Sequence, residues 1–222
     1  MSSLSSTSHR RGFLGRAAAG VAALVAGASF ARDADARVFS ESAPPEEAWI
    51  GKIKGKHKQV FDCTSPNGGF GAAYALNYMD SHNQATVTKD SDLTAVVVFR
   101  HFAMPLVLTD AIWAKYNIGS ILNVNDSRTS APAVRNIFHD AIMMRPGLTY
   151  EKMIADRGAI IVACHLALTV ISGMAGQKIG VSAEQAKAEW TAGLIPGVAL
   201  ANSGVYAVNR AQERGCTYCY GG

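Results

Sequence analysis

Apolar runs recur along this chain at intervals that predict the strands of a sheet. Residues 93–102 form a nearly continuous apolar and β-branched run, and residues 160–164 form a shorter one. Such runs are typical of strands that are buried on both faces of a parallel sheet. A short run at 59–63 predicts a first strand, and two more strands are predicted at 198–201 and 216–220.

Helices are predicted between these strands. The spacing of Phe70, Tyr74, Leu76 and Tyr78 is that of an amphipathic helix over 70–81. Because strands and helices alternate, the helices are expected to cover both faces of a parallel sheet. The predicted fold is therefore α/β, with a flavodoxin-like three-layer parallel sheet of about five strands. The other predicted helices span 166–176, 182–191 and 205–214.

A long insertion follows the second predicted strand. Residues 105–147 contain three prolines, a polar run at 123–130 and one plausible helix at 108–116. Connections of this length in a compact α/β domain are usually functional or form contacts. We therefore expect the insertion to act as a lid or an oligomer contact.

The first residues have the pattern of a twin-arginine signal peptide. Arg10 and Arg11 precede Phe13-Leu14 and an Ala- and Gly-rich apolar run at 17–31. That run is too short for a membrane-spanning helix. Cleavage after Ala36 would leave an N-terminal arm or linker at 37–57 and one α/β domain at 58–222. The sequence thus predicts a periplasmic protein.

The charge of the chain excludes one class of partner. The net charge is +4, and residues 1–36 hold four arginines and two aspartates, so the predicted mature chain carries only +2. A nearly neutral chain gives no indication of nucleic-acid binding. After signal removal no segment is long and apolar enough for a membrane.

Two of the four cysteines end predicted strands. Cys63 ends the first long strand and Cys164 the third, and each precedes a helix whose N-terminal dipole favours a thiolate. With the strand order 2-1-3-4-5, both thiols would flank one crevice at the carboxyl edge of the sheet. Cys164 is then either a nucleophile or a buried core residue. Cys63 is either its partner or a core residue.

The other two cysteines form a Cys-x-x-Cys pair, Cys216 and Cys219. In an extended strand, residues three apart lie roughly 10 Å from each other and face opposite sides. A disulfide would need a turn here. A zinc site would need a second such pair, which the sequence lacks. The pair therefore predicts neither a redox centre nor a metal site.

Polar residues also follow the second predicted strand. Arg100 and His101 lie at the same predicted edge as the cysteines and are able to supply positive charge or a proton. His101 and Met104 are of types that ligate haem or copper, while a structurally paired histidine is the simpler interpretation. The sequence identifies no cofactor.

Four segments of the C-terminal half carry a resemblance: residues 158–164, which end in Cys164, and residues 194–198, 203–205 and 212–218. In order and spacing they resemble the DsrE/DsrF-like family of small sulfur-relay proteins. The resemblance implies that Cys164 carries sulfane sulfur as a persulfide and that the chain forms a trimer or hexamer. The signal peptide, the insertion and Cys219 depart from the family pattern.

The sequence therefore favours an exported protein that handles sulfur compounds, with Cys164 as the sulfur acceptor. Cys63, Arg100 and His101 are expected to line its crevice, and a small sulfur compound or a thiol protein is the expected partner. One alternative is a non-catalytic periplasmic protein that binds haem or a metal through His101 and nearby residues. Another is a structural oligomer that uses the insertion for its contacts.

Overall fold

A five-stranded, wholly parallel sheet lies at the centre of the structure, a computed structural model that describes residues 48–140, 142 and 145–222. The predicted signal peptide and residues 37–47 of the predicted arm lie outside these ranges. The sheet consists of β1 (His57–Cys63), β2 (Leu93–Phe99), β5 (Ile160–Cys164), β6 (Ala199–Ala201) and β7 (Thr217–Tyr220); β3 (Asn125–Asp126) and β4 (Ala131–Pro132) form a small antiparallel pair in the insertion.

Seven α-helices are described around the sheet. They are α1 (Phe70–Ala85), α2 (Asp110–Lys115), α3 (Ile118–Leu122), α4 (Tyr150–Arg157), α5 (His165–Lys178), α6 (Ala183–Ala192) and α7 (Gly204–Glu213). Ser182 caps α6, because its hydroxyl accepts the backbone N–H of Gln185 at 3.2 Å. Among the described residues, no helix is long and apolar enough to cross a membrane.

Alternating strand residues divide the core into two layers. Phe61, Val97 and Ile161 face one side, where they pack with residues of α1, α5, α6 and the insertion. Val96 and Val162 face the other side, where they pack with residues of α7 and of the segment before β1. Because β2 and β5 are buried along their whole lengths, their sequences are apolar without interruption. The predicted three-layer α/β fold is confirmed.

The described end of the predicted arm belongs to the second layer. Trp49, Ile50 and Ile53 are all buried there, around a short 3-10 helix at Ile50–Lys52. Since these three side chains cover the same face as α7, residues 48–56 contribute to the core.

The strand order differs from the order 2-1-3-4-5 used to place the crevice. The observed order is β6-β5-β2-β1-β7, so that β2 lies between β1 and β5. The first three crossovers step in one direction, and the last one, through α7, returns across the sheet to pair β7 with β1. Since parallel crossovers are right-handed, this reversal places α7 on the opposite face from α1 and α5.

The predicted insertion follows β2 and packs as part of the first layer. Trp113, Tyr116 and Ile118 are wholly buried in it. The buried Asn136 amide donates to the carbonyls of Leu106 at 2.6 Å and Leu108 at 2.8 Å, which holds the beginning of the insertion against its later part. The insertion therefore contributes a substantial part of the core.

Candidate functional site

The carboxyl edge of the sheet opens where β5 and β6 end. The chain leaves β5 for α5 on one face, and it leaves β6 for α7 on the other face. Neighbouring strands whose connections diverge in this way leave a crevice at their carboxyl ends. The backbone N–H of Leu166 donates to the carbonyl of Asn202 at 3.2 Å across the base of this crevice. The strand topology therefore predicts the crevice beside Cys164, at the end of β5.

Cys164 is the N-cap residue of α5. Its Sγ accepts the backbone N–H of Ala167 at 3.3 Å, in place of the oxygen that usually caps a helix. The side chain is 5 % exposed. The amino end of a 14-residue helix carries a partial positive charge, and the donated N–H adds to it. The Cys164 sulfur therefore lies at the amino end of the α5 dipole and accepts one of its free N–H groups.

Arg100 follows the neighbouring strand, directly after Phe99, which pairs with Ala163 of β5. The pKa of Arg100 is raised above its ordinary value, first by its hydrogen bonds to Asp62 and further by the charge of that carboxylate. The structure places Arg100 and Cys164, both predicted site residues, at one edge, on adjacent strands.

Asp62 fixes the Arg100 guanidinium in a bidentate pair. Nε of Arg100 donates to Oδ1 of Asp62 at 2.6 Å, and Nη2 donates to Oδ2 at 2.8 Å. The Tyr218 hydroxyl donates to the same carboxylate at 3.0 Å. The two parallel hydrogen bonds from Arg100 to one nearly buried carboxylate leave the guanidinium a single orientation. The ends of β1, β2 and β7 are joined in this way.

Gly204 lets the amino end of α7 approach Arg100. A Cβ at this position would lie well inside contact distance of the Arg100 side chain. Ser203 caps the same helix, since its hydroxyl accepts the backbone N–H of Tyr206 at 3.2 Å. The site is therefore bounded by Cys164 on one side, by Arg100 on the other and by the start of α7.

His101 and Met104, the predicted haem or metal ligands, differ in their exposure to solvent. His101 is exposed, has the left-handed φ of 50° and makes an edge contact with the Phe102 ring. Met104 is wholly buried in the first core layer. Its sulfur is not presented to a ligand bound at His101, so the two residues do not fit a shared haem or metal site. No group of three or more His, Cys, Asp or Glu able to hold a metal ion occurs in the described ranges.

Cys63 does not meet Cys164, contrary to the crevice predicted from the order 2-1-3-4-5. Because β2 separates β1 from β5, the two strand ends lie two strand spacings apart, about 9–10 Å. That separation exceeds the reach of a disulfide. Cys63 is 1 % exposed, beneath Gly71 and Gly221. Burial, with a further contribution from Asp62, raises the pKa of its thiol far above the ordinary range.

The remaining cysteines also stay apart. Cys216 packs in the second core layer, whereas Cys219 packs against the first. Burial raises the pKa of Cys216 to about 11 and also raises the pKa of the partly exposed Cys219. All four cysteines are free thiols. The expectation that the Cys-x-x-Cys pair faces opposite sides is confirmed.

Asp62 and Tyr218 were not predicted as site residues. Asp62 carries one signal in the sequence, since an acidic residue inside an apolar strand needs a buried partner. Tyr218 carries no such signal, because its place beside Asp62 depends on the pairing of β7 with β1.

Comparison with known proteins finds no family model, no curated protein and no solved structure that matches this chain. The fold and the site themselves define a class: three-layer α/β proteins with a helix-capping cysteine at the carboxyl edge of the sheet. Within that class, this chain has two particular features. Arg100, which follows the strand adjacent to that of Cys164, is held by two hydrogen bonds to Asp62, and a long insertion follows β2.

Proposed function

We propose that this protein handles sulfur compounds through Cys164, as a persulfide carrier or a sulfurtransferase-type relay. One observation carries the proposal: the Cys164 Sγ itself caps the amino end of α5 and accepts a backbone N–H. A thiolate placed there is stabilised without a general base. The same interaction stabilises the anionic persulfide that the transfer would form.

The proposed transfer of sulfane sulfur to Cys164 needs no external oxidant. The Cys164 thiolate attacks the outer sulfur of a donor persulfide, R–S–SH, and its electron pair forms the new S–S bond. The donor S–S bond breaks and its pair leaves on R–S⁻, which takes up a proton. Cys164 then holds the sulfane sulfur until an acceptor thiolate attacks the outer atom, which releases the Cys164 thiolate again.

Arg100 supplies the positive charge for this exchange. Because Asp62 already holds its guanidinium in one orientation, the Arg100 side chain loses little further conformational entropy when an anion binds in the crevice. An anionic leaving thiolate or a charged donor is therefore favoured at this edge. His101, exposed beside it, is placed to exchange protons with the incoming compound.

The partner we propose is a small sulfur compound or a thiol protein. Cys164 is nearly buried, which favours a slender donor such as a terminal persulfide. Phe102, Val205 and Tyr206 are exposed apolar or aromatic side chains next to Arg100 or on the first turn of α7. A thiol protein that presents its persulfide end-on would cover them.

Export and assembly belong to the same proposal. The arginine pair and the mild apolar run at 17–31 support export to the periplasm by the twin-arginine pathway. The resemblance to the DsrE/DsrF-like family supports a trimer or hexamer.

Loading with a chemical persulfide donor tests the proposal. Full-length protein is treated with glutathione persulfide, freed of excess donor, and assayed for transfer of sulfur to dithiothreitol. Cys164→Ser is expected to abolish loading, and Cys219→Ser, which changes the partly exposed thiol, is expected to load as the wild type does. Equal loading of wild type and Cys164→Ser would refute the carrier role.

A further inference from the structure

Strand β7 forms one edge of the sheet, because it pairs with β1 and, among the described residues, with no other strand. Edge strands of soluble proteins are commonly protected by a lysine, a proline, a bulge or a covering segment. The residues of β7 include no charged residue and no proline, and they pair with β1 one to one, without a bulge. Tyr218 is 47 % exposed and Tyr220 is 61 % exposed. This edge is therefore open to a further strand.

The register of β7 on β1 determines which of its backbone groups face outward. The backbone N–H of Gly221 donates to the carbonyl of Asp62 at 2.9 Å, and Asp62 pairs with Tyr220. In a parallel ladder such a residue bonds to the two neighbours of its partner, so the backbone groups of Cys219 and Gly221 face β1. Because these groups alternate along a strand, the N–H and C=O groups of Tyr218 and Tyr220 point away from the sheet.

Both faces of the edge leave room for a second strand. On the face of the first core layer, a groove of about 470 Å³ lies between α1 and β7, with Cys219 in its lining and no Asp, Glu, Lys or Arg among the described residues that line it. On the other face, the Tyr218 hydroxyl bonds to Asp62, and the Tyr220 hydroxyl lies 3.4 Å from Oγ1 of Thr64. Both rings thus lean back over β1 and leave the outer edge clear.

We infer that two copies of this chain pair through β7 as antiparallel strands. An antiparallel pair is complementary to itself, because a twofold axis brings each outward donor of one strand onto an acceptor of the other. A neutral strand also meets no like charge when it pairs with its own copy. The inference depends on the sheet edge alone and not on the proposed sulfur chemistry.

One register uses all the outward groups. It sets Tyr218 of each copy opposite Tyr220 of the other, which forms two pairs of N–H···O=C bonds and two cross-strand aromatic pairs. The twofold axis then passes between the two Cys219 residues. They form a pair without mutual backbone hydrogen bonds, whose Cα atoms lie about 4.5 Å apart. That separation is within the span of a disulfide, so oxidation of this thiol reports the register.

Oxidation with diamide tests the register in the full chain. Diamide takes up the two electrons and two protons that two thiols release when they form a disulfide. A dimer linked through Cys219 is expected, and Cys216→Ala is expected to cross-link like the wild type. Cys219→Ala is expected not to cross-link.

A matched thiol distinguishes this pairing from random collision. Thr217→Cys in the Cys219→Ala background places a thiol on the same face of β7, at a more exposed position. In the inferred register it lies roughly 14 Å from its counterpart, beyond the reach of a disulfide. It is expected to cross-link at least about tenfold more slowly than Cys219 does. Equal rates would overturn the inference.

Sedimentation equilibrium of the full chain in reductant measures the association itself. A dimer, or a hexamer that contains such twofold axes, is expected. Tyr220→Pro removes an outward N–H and none of the bonds to β1, and it is expected to raise the dissociation constant of the dimer at least about tenfold. Tyr220→Phe keeps that N–H and is expected to change the constant by less than about threefold.

Urea unfolding establishes that the Tyr220→Pro variant is folded. A folded Tyr220→Pro variant that associates like the wild type would overturn the inference. So would a wild-type chain that is a monomer or a trimer at every concentration. Cys219→Ala is expected to load sulfur on Cys164 as the wild type does, so a failure of this pairing and a failure of the carrier role are distinguishable.

Discussion

Arg100 and Asp62 form a two-point ion pair across the ends of β1 and β2, with N–O distances of 2.6 and 2.8 Å. The Asp62 side chain is 5 % exposed and that of Arg100 is 29 % exposed. The pair therefore has its carboxylate in the core and its guanidinium at the mouth of the crevice. That arrangement links the stability of the sheet edge to the positive charge at the end of β2, the strand adjacent to the one that ends in Cys164.

The substitution Arg100→Met tests this link. It leaves the Asp62 carboxylate nearly buried with Tyr218 as its remaining side-chain donor, so we expect the free energy of unfolding to fall by about 2–3 kcal/mol. Urea unfolding measures the change. The control Arg128→Met removes an arginine that is 64 % exposed in its pair with Asp126, and it is expected to cost less than about 1 kcal/mol. A larger loss in the control would contradict this account.

The close approach of α1 to Cys63 makes a second prediction. A Cβ at Gly71 would overlap the Cys63 Sγ, so Gly71→Ala is expected to lower the free energy of unfolding by about 1–3 kcal/mol. Adding Cys63→Ala removes the sulfur and should recover part of that loss in a double-mutant cycle. Gly51→Ala, whose added Cβ meets no atom within 4 Å, is the control and should stay within about 0.5 kcal/mol of wild type. Additive effects of the two substitutions would refute the contact.

The different burial of the thiols predicts an order of alkylation. With its pKa raised to about 11, Cys216 is about one part in a thousand thiolate at pH 8, and the pKa of Cys63 is raised further by burial. In the folded protein, iodoacetamide should therefore modify Cys219 well before Cys63 or Cys216. Peptide mass spectrometry of timed samples measures the order. Early modification of Cys63 would show that it is more accessible than the structure indicates.

The environment of Glu189 predicts how the stability of the protein depends on pH. The hydrogen bonds from Lys115, Tyr116 and Gln185 hold its pKa at about 2, below the ordinary value of 4.5. A carboxyl whose pKa is lower in the folded state than in the unfolded chain stabilises the fold at any pH above the unfolded-state pKa. This stabilisation is lost as the pH falls from about 4.5 to about 2. Glu189→Gln should therefore be less stable than wild type at neutral pH, and the difference should shrink through that window. Urea midpoints against pH test this; a constant difference would contradict it.

The fold class followed from the sequence because burial leaves a direct pattern. Continuous apolar runs became β2 and β5. The helix α1 formed where it was predicted, but of its predicted apolar face Leu76 is buried while Phe70 and Tyr74 are exposed. The order of the strands left no comparable pattern, because it depends on which way each crossover turns. The pairing of Cys63 with Cys164 in one crevice was wrong for that reason.

The helix α4 was missed for a different reason. Only Tyr150 and Met153 of its eight residues are buried, so its apolar spacing is short, and four of the other six residues are charged. Its ends do carry signals: Thr149 caps it through its hydroxyl, and Gly158 ends it with a φ of 69°. Capping residues would have identified this helix where hydrophobic periodicity did not.

The intact mass of the protein, purified from its native cells without reductant, tests the carrier role of Cys164 directly. A reductant-labile increase of about 32 Da for each added sulfur is expected, located on Cys164 by peptide mapping. The same mass before and after reduction, with Cys164 as a plain thiol, would contradict the carrier role. Added sulfur found on Cys219 and not on Cys164 would also contradict it.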